Sequence, residues 1–219
     1  MQSVNYEKGS AETDMINEFE IIEAVKKEIR VLFADDYSGH DYFHSLRVMK
    51  NAEMLHKNEG GNLFLIKLAS LLHDTDDKKL YPCNVGFENA VCIMNKLELS
   101  EDIISAVCDI INCVPFSAGR IPHTIEGEIV QDADRLDALG AIGIARCFAY
   151  GGFHKRAFYE ISDDTGDLRT DGDSSVAHFY IKLLKLFDSM CTESAKREAA
   201  RRTEILKDYL NELRYEIIE

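Results

Sequence analysis

The sequence predicts an all-α fold. Almost every apolar segment repeats with the helical period of 3.6 residues, and almost none alternates with period two. Proline is confined to Pro82, Pro115 and Pro122, outside those segments. A chain of 219 residues can bury a sizeable core. We expect one domain, with a core over about residues 20–150, a loop over 153–175 and C-terminal helices over 176–217.

Ile22, Val25, Ile29 and Leu32 form one stripe of a first helix, with Thr13 as its expected N-cap and Asp35 to Gly39 as its end. A second helix is expected from about Asp41 to Lys57 and a third from about Asn62 to His73. After a turn around Pro82, helices are expected from Gly86 to Leu97 and from Ser100 to Cys113. Ser100 is placed to cap the latter, with Glu101 and Asp102 in its electropositive first turn. Pro115 to Pro122 reads as a loop. Ile125 to Tyr150 reads as one long helix or two stacked pieces. Gly140 and Gly143 would permit a bend or close packing there, and Gly151-Gly152 would end it. Phe153 to Ser175, rich in Asp and Gly, is longer than most loops of compact domains, so it is either a lid or binding segment or a disordered connection. Two further helices, Val176 to Cys191 and Glu193 to Ile217, follow.

A formal net charge of −14 repels nucleic-acid backbones and anionic membranes, so neither is expected as a partner. A small anionic substrate stays open if a metal and local cations reverse the potential in a pocket. No apolar run approaches the roughly 20 residues of a membrane span, and the acidic N-terminal stretch lacks the features of a secretory signal, which points to the cytoplasm. Cys83, Cys92, Cys108, Cys113, Cys147 and Cys191 show no Cys-x-x-Cys spacing and read as reduced thiols.

The chemistry-bearing pattern is His44, then His73-Asp74 closing the apolar run Leu68-Ala69-Ser70-Leu71-Leu72, then Asp134 within an acidic stretch. A second His-Asp pair, His40-Asp41, follows a turn-like segment, whereas His73-Asp74 ends a stretch made for burial. His44 shares a helical face with Val48 and Leu55, and His73 shares one with Ile66 and Ala69, so both imidazoles point inward. Asp134 lies among Ile129, Val130, Ala133, Leu136 and Leu139. Taken singly, each has a plainer account as a core histidine or a solvated carboxylate. Together, buried carboxylates are costly unless paired or metal-bound, and the set reads as a divalent-metal site. Mixed imidazole and carboxylate donors suit Mn foremost, and also Fe, Co, Ni or Zn.

His40-Asp41-Tyr42-Phe43-His44-Ser45-Leu46-Arg47-Val48 and Gln131-Asp132-Ala133-Asp134-Arg135-Leu136-Asp137-Ala138-Leu139-Gly140, with His178-Phe179-Tyr180-Ile181-Lys182-Leu183-Leu184 downstream, resemble the HD-domain superfamily of metal-dependent phosphohydrolases, in particular its bacterial YpgQ/YedJ-type subgroup. The resemblance spans roughly residues 20 to 217. It implies an HD-type helical fold with additional C-terminal helices, one divalent metal on His44, His73, Asp74 and Asp134, and hydrolysis of nucleoside triphosphates to monophosphate and pyrophosphate. A phosphomonoesterase, or a hydrolase of cyclic nucleotides or guanosine polyphosphates, would use the same site. From another class, a non-catalytic helical sensor or interaction module is the alternative.

Around these ligands, Asp77 is the expected catalytic group that orients or deprotonates a water, with Lys78 and Lys79 neutralising phosphate oxygens. Arg47, one turn from His44, would meet either a phosphate or the site carboxylates. Asp137 is expected to support a ligand from behind rather than to bind the ion. His178 and Lys182, four residues apart on one expected helical face, gain weight as substrate-binding residues from the resemblance. His154-Lys155-Arg156 is a cationic candidate on composition alone, its plain alternative being a solvated loop tip.

Overall fold

A helix over Tyr42–Glu59 lies against one over Ile125–Asp137 at the centre of the fold, and the two carry the first and last of the expected ligands. The computed structural model describes residues 7–34, 41–77, 81, 83–115 and 119–218, with side chains from residue 17 onward. Among the described residues the order is α1 (Glu7–Leu32), α2 (Tyr42–Glu59), α3 (Leu63–Leu72), α4 (Glu88–Lys96), α5 (Glu101–Cys113), α6 (Ile125–Asp137), α7 (Gly140–Phe153), α8 (Ser175–Ile181), two 3₁₀ turns (Leu183–Lys185 and Phe187–Ser189) and α9 (Glu193–Ile218). No strand occurs among them, so the expected all-α class holds.

The apolar stripes read from the sequence are the faces that meet. α1 buries Ile22, Val25 and Ile29 against α3, while α2 buries Val48, Ala52 and Leu55. Short, strongly apolar α3 is covered by α1, α2, α5 and α6, so that Ile66, Leu68, Leu71 and Leu72 have no exposure. Each such side chain contributes about 1.5–3 kcal/mol of transfer free energy. Caps fix where the helices begin. The Asp41 carboxylate accepts the His44 N–H at 2.7 Å, Asn62 Oδ1 accepts those of Phe64 and Leu65, and Thr124 Oγ1 accepts that of Gly127.

One buried and one half-buried carboxylate hold elements together in ways the sequence did not reveal. Asp132 accepts the backbone N–H groups of Cys191 and Thr192 at 2.9 and 2.7 Å and the Thr192 hydroxyl at 2.8 Å, which pins the start of α9 to α6. Asp76 accepts the N–H groups of Asn89 and Ala90, which ties the turn after α3 to α4.

Three expectations are corrected, and a fourth is settled between its two options. α1 starts at Glu7 rather than after Thr13, because good helix formers such as Ala11 and Glu12 extend it beyond its apolar stripe. The stretch expected as a helix over Val176–Cys191 is α8 followed by the two 3₁₀ turns; the tighter period of three buries Leu183 and Leu186 together. The stretch 125–150 takes the second of its two options, two helices, and Gly140 at φ 68 starts the second, where a Cβ would sit 3.3 Å from Arg202 Cγ. Gly151-Gly152 does not end α7, which runs to Phe153. Gly151 instead lets Ser175 approach, since a Cβ there would sit 2.1 Å from Ser175 Oγ.

The long loop after α7 is an ordered hairpin. Ile161 and Leu168 form an antiparallel bridge, Leu168 is buried, and Asp167 grips the Arg214 guanidinium of α9 at 2.9 Å. No helix of the described residues is long and apolar enough to cross a membrane.

Candidate metal centre

His44 enters from the first turn of α2, His73 is the C-terminal cap of α3 with Asp74 beside it, and Asp134 lies one turn before the end of α6. Four donor atoms from these residues converge. His44 Nε2 is 3.2 Å from His73 Nε2, 3.3 Å from Asp74 Oδ2 and 3.4 Å from Asp134 Oδ1. His73 Nε2 is 3.3 Å from Asp74 Oδ2 and 3.8 Å from Asp134 Oδ1. The ligand edges of a four- to six-coordinate ion with bonds of 2.0–2.2 Å are about 3.0–3.5 Å, so His44, His73 and Asp134, with Asp74 within reach of both imidazoles, fit a divalent cation. Charge agrees. Asp74 and Asp134 together neutralise such an ion, and two imidazole nitrogens facing each other at 3.2 Å need a cation or a proton between them.

Both rings are oriented from behind. His73 Nδ1–H donates to the Ser70 carbonyl at 2.9 Å, and His44 Nδ1–H donates to Asp137 Oδ2 at 2.7 Å, so each ring turns its Nε2 inward. Asp137 is nearly fully buried and accepts more. Arg47 forks onto it through Nε at 2.8 Å and Nη2 at 3.1 Å, and Arg146 of α7 adds Nη1 at 2.9 Å. Its charge is thus matched by two guanidiniums and is not left to compete for the ion.

Without an ion the site holds protons instead. Burial and the nearby Arg146 both pull the His44 pKa down, but hydrogen bonds to Asp134, Asp137 and Asp74 outweigh them and raise it from 6.5 to about 10. For His73, burial is likewise outweighed, by Asp74 and Asp134, and its pKa also rises. Burial pushes Asp134 and Asp137 upward; for Asp134 the two imidazoles reverse it and its carboxyl ends below its usual value, and for Asp137 His44 and the two arginines do so and hold it well below.

The remaining expected site residues are placed as follows. Arg47 is on Asp137, the carboxylate option of the two read from the sequence. Asp77 is half-buried in the turn after Asp74; its N–H donates to the Asp74 carbonyl and its carbonyl accepts from Tyr81 N–H at 2.8 Å. Lys78 and Lys79 lie outside the described residues. His178 is half-buried on α8, and Lys182 is the C-cap of that helix: its N–H donates to the His178 carbonyl at 3.0 Å, while its own backbone turns to φ −127 and ψ −58. His56 hydrogen bonds through Nδ1 to the Gly60 carbonyl at the end of α2. Arg146 was not foreseen. It is nine residues from Asp137 across a helix break, and no periodicity links positions on two different helices.

Comparison with known proteins agrees with this architecture. The model of the HD domain matches residues 41–139. YpgQ of Bacillus subtilis is 32% identical over 209 residues, covering 92% of this chain and 96% of that one. A crystal structure of Bacillus subtilis YpgQ in complex with ADP superposes with a TM-score of 0.75 at 31% identity, covering 92% and 97% of the two chains. An HD-superfamily hydrolase from Bacillus thuringiensis is 40% identical with a TM-score of 0.71, covering 90% and 96%.

Proposed function

Because this chain belongs to the HD-domain family, in the subgroup of YpgQ, and is thereby a hydrolase of the metal-dependent phosphohydrolase type, we propose that it cleaves nucleoside triphosphates to nucleoside monophosphates and pyrophosphate. The observation that carries the proposal is the convergence of His44, His73 and Asp134, with Asp74 Oδ2 3.3 Å from both imidazole Nε2 atoms. The ADP bound by the Bacillus subtilis relative supports a nucleotide as the substrate class.

In this reading His44, His73, Asp74 and Asp134 hold one divalent transition metal, Mn foremost, with Fe, Co, Ni or Zn compatible with the same donors. When bound, such an ion lowers the pKa of water to about 7 and polarises a phosphoryl oxygen. The protein's own groups do the rest. Asp137 holds the His44 ring in the orientation that presents Nε2. Asp77 takes the proton of the attacking water as its oxygen bonds to the α-phosphorus and the bond from that phosphorus to the bridging oxygen breaks, releasing pyrophosphate. Lys78, Lys79, His178 and Lys182 offset phosphate charge, which a chain of net charge −14 must do locally, while Arg47 stays on Asp137. Six free thiols fit the reducing cytoplasm, which we propose as its place.

Product identity tests the proposal. Phosphorus NMR of a reaction on a nucleoside triphosphate should show monophosphate and pyrophosphate in equal amounts. Orthophosphate as the sole inorganic product would assign the site to a phosphomonoesterase instead. Stable metal binding without cleavage of any phosphoester would support the sensor reading.

A further inference from the structure

One flank of α7 leads away from the metal centre and ends in a cluster of rings. Arg146, which touches Asp137 behind His44, begins it. Tyr150 and His154 follow one and two turns later, about 6 Å and about 12 Å along the axis. The Tyr150 and His154 rings are 4.2 Å apart, tilted by 41°, and Phe153 meets His154 edge-on at 5.1 Å. The Arg156 guanidinium lies 5.7 Å over the Tyr150 ring. These rings are not core. Phe153 is 60% exposed and His154 is exposed, whereas α7 turns Gly143, Cys147 and Gly151 to the interior.

The backbone holds the cluster in place. His154 N–H donates to the Tyr150 carbonyl and Arg156 N–H to the Gly151 carbonyl, which forces Lys155 to φ 56, a left-handed conformation that suits glycine better than lysine. That turn brings Arg156 back over Tyr150. Helical side chains lean toward the helix N-terminus, so the rings lean back toward Arg146 and the metal centre.

We propose that this flank of α7 is the nucleoside subsite. The phosphates lie at the metal centre, and the base stacks on the outer face of His154, which Tyr150 backs, with Phe153 edge-on beside it. The proposal rests on the reading of the chain as a nucleotide hydrolase and adds where the nucleoside goes. Stacking on rings without edge-specific hydrogen bonds predicts weak discrimination among bases. It also gives the segment His154-Lys155-Arg156 an aromatic role beside the cationic one its composition suggests.

Calorimetric binding to the Mn-loaded protein tests it without turnover, with ADP as one probe and pyrophosphate as a probe that lacks a nucleoside. The double variant Tyr150→Ala/His154→Ala should bind ADP about tenfold or more weakly, as loss of base stacking predicts, with pyrophosphate affinity unchanged. Tyr150→Phe, which keeps the ring, should bind ADP like the wild type. Unchanged ADP affinity in the double variant overturns the subsite. So does equal weakening of both probes, or a wild type that binds ADP no better than pyrophosphate. Failure of the functional reading is separate: a wild type that releases no pyrophosphate but shows this pattern of affinities keeps the subsite and loses the reaction.

Discussion

His44 Nδ1 and Asp137 Oδ2 are 2.7 Å apart, and this contact joins α2 to the last residue of α6 directly behind the metal centre. It fixes which nitrogen of His44 faces inward. Asp137 can play that part because Arg47 and Arg146 satisfy the rest of its carboxylate.

Asp137→Asn keeps the shape and removes the charge. Loss of such an outer partner weakens metal binding by about 10–100-fold, and we expect a value in that range from a Mn titration. Affinity equal to that of the wild type would show that His44 needs no support from Asp137.

His73→Ala removes a donor from the centre and leaves a small cavity at the end of α3. The variant should stay helical by circular dichroism, lose its metal by elemental analysis and lose turnover with it. Full activity in that variant is incompatible with the site.

Proton release accompanies metal binding. His44 has a pKa of about 10 in the metal-free protein, so at pH 7 it must shed a proton before Nε2 can bind an ion. Calorimetry in buffers of different ionisation enthalpy should show about one proton or more released per Mn, with affinity rising with pH. Stability follows the opposite course in metal-free protein. The contribution of His44 is complete below its ordinary 6.5 and is lost as pH rises through about 10. That of Asp137, whose pKa is lowered, is present above 3.8 and is lost on acidification below it. A metal-free Tm that rises from pH 7 to pH 10 would contradict this assignment.

Asp132→Ala separates structure from chemistry. It leaves the N–H groups of Cys191 and Thr192 without their acceptor at the start of α9, at a cost of about 2–4 kcal/mol. Urea unfolding should show that loss while Mn affinity is retained, because the hydrogen bonds of Asp132 run to Cys191 and Thr192. Loss of metal affinity at unchanged stability would place Asp132 in the centre instead.

What the sequence made legible was whatever a single helix determines. The faces of α1 and α2 followed from Ile22, Val25, Ile29, Val48 and Leu55, and the inward direction of His44 and His73 from the same periodicity. What it hid were relations between helices and departures from the α-helical period. Arg146 reaches Asp137 across the break at Ala138–Leu139. Of Asp132 and Asp76, indistinguishable in the sequence from solvated carboxylates, the first anchors the residues just before α9 and the second caps α4. Lys182 sits at the junction where α8 gives way to 3₁₀ turns, a change of period hidden because the density of apolar residues from Phe179 to Leu186 fits either period.

The most direct test of the central claim is pyrophosphate release from nucleoside triphosphates by metal-stripped protein, measured before and after resupply of Mn. The account predicts no release from the stripped protein and restored release with Mn, matched one for one by nucleoside monophosphate. Release that persists at full rate without any metal, or none from any nucleotide after Mn has bound, would contradict it.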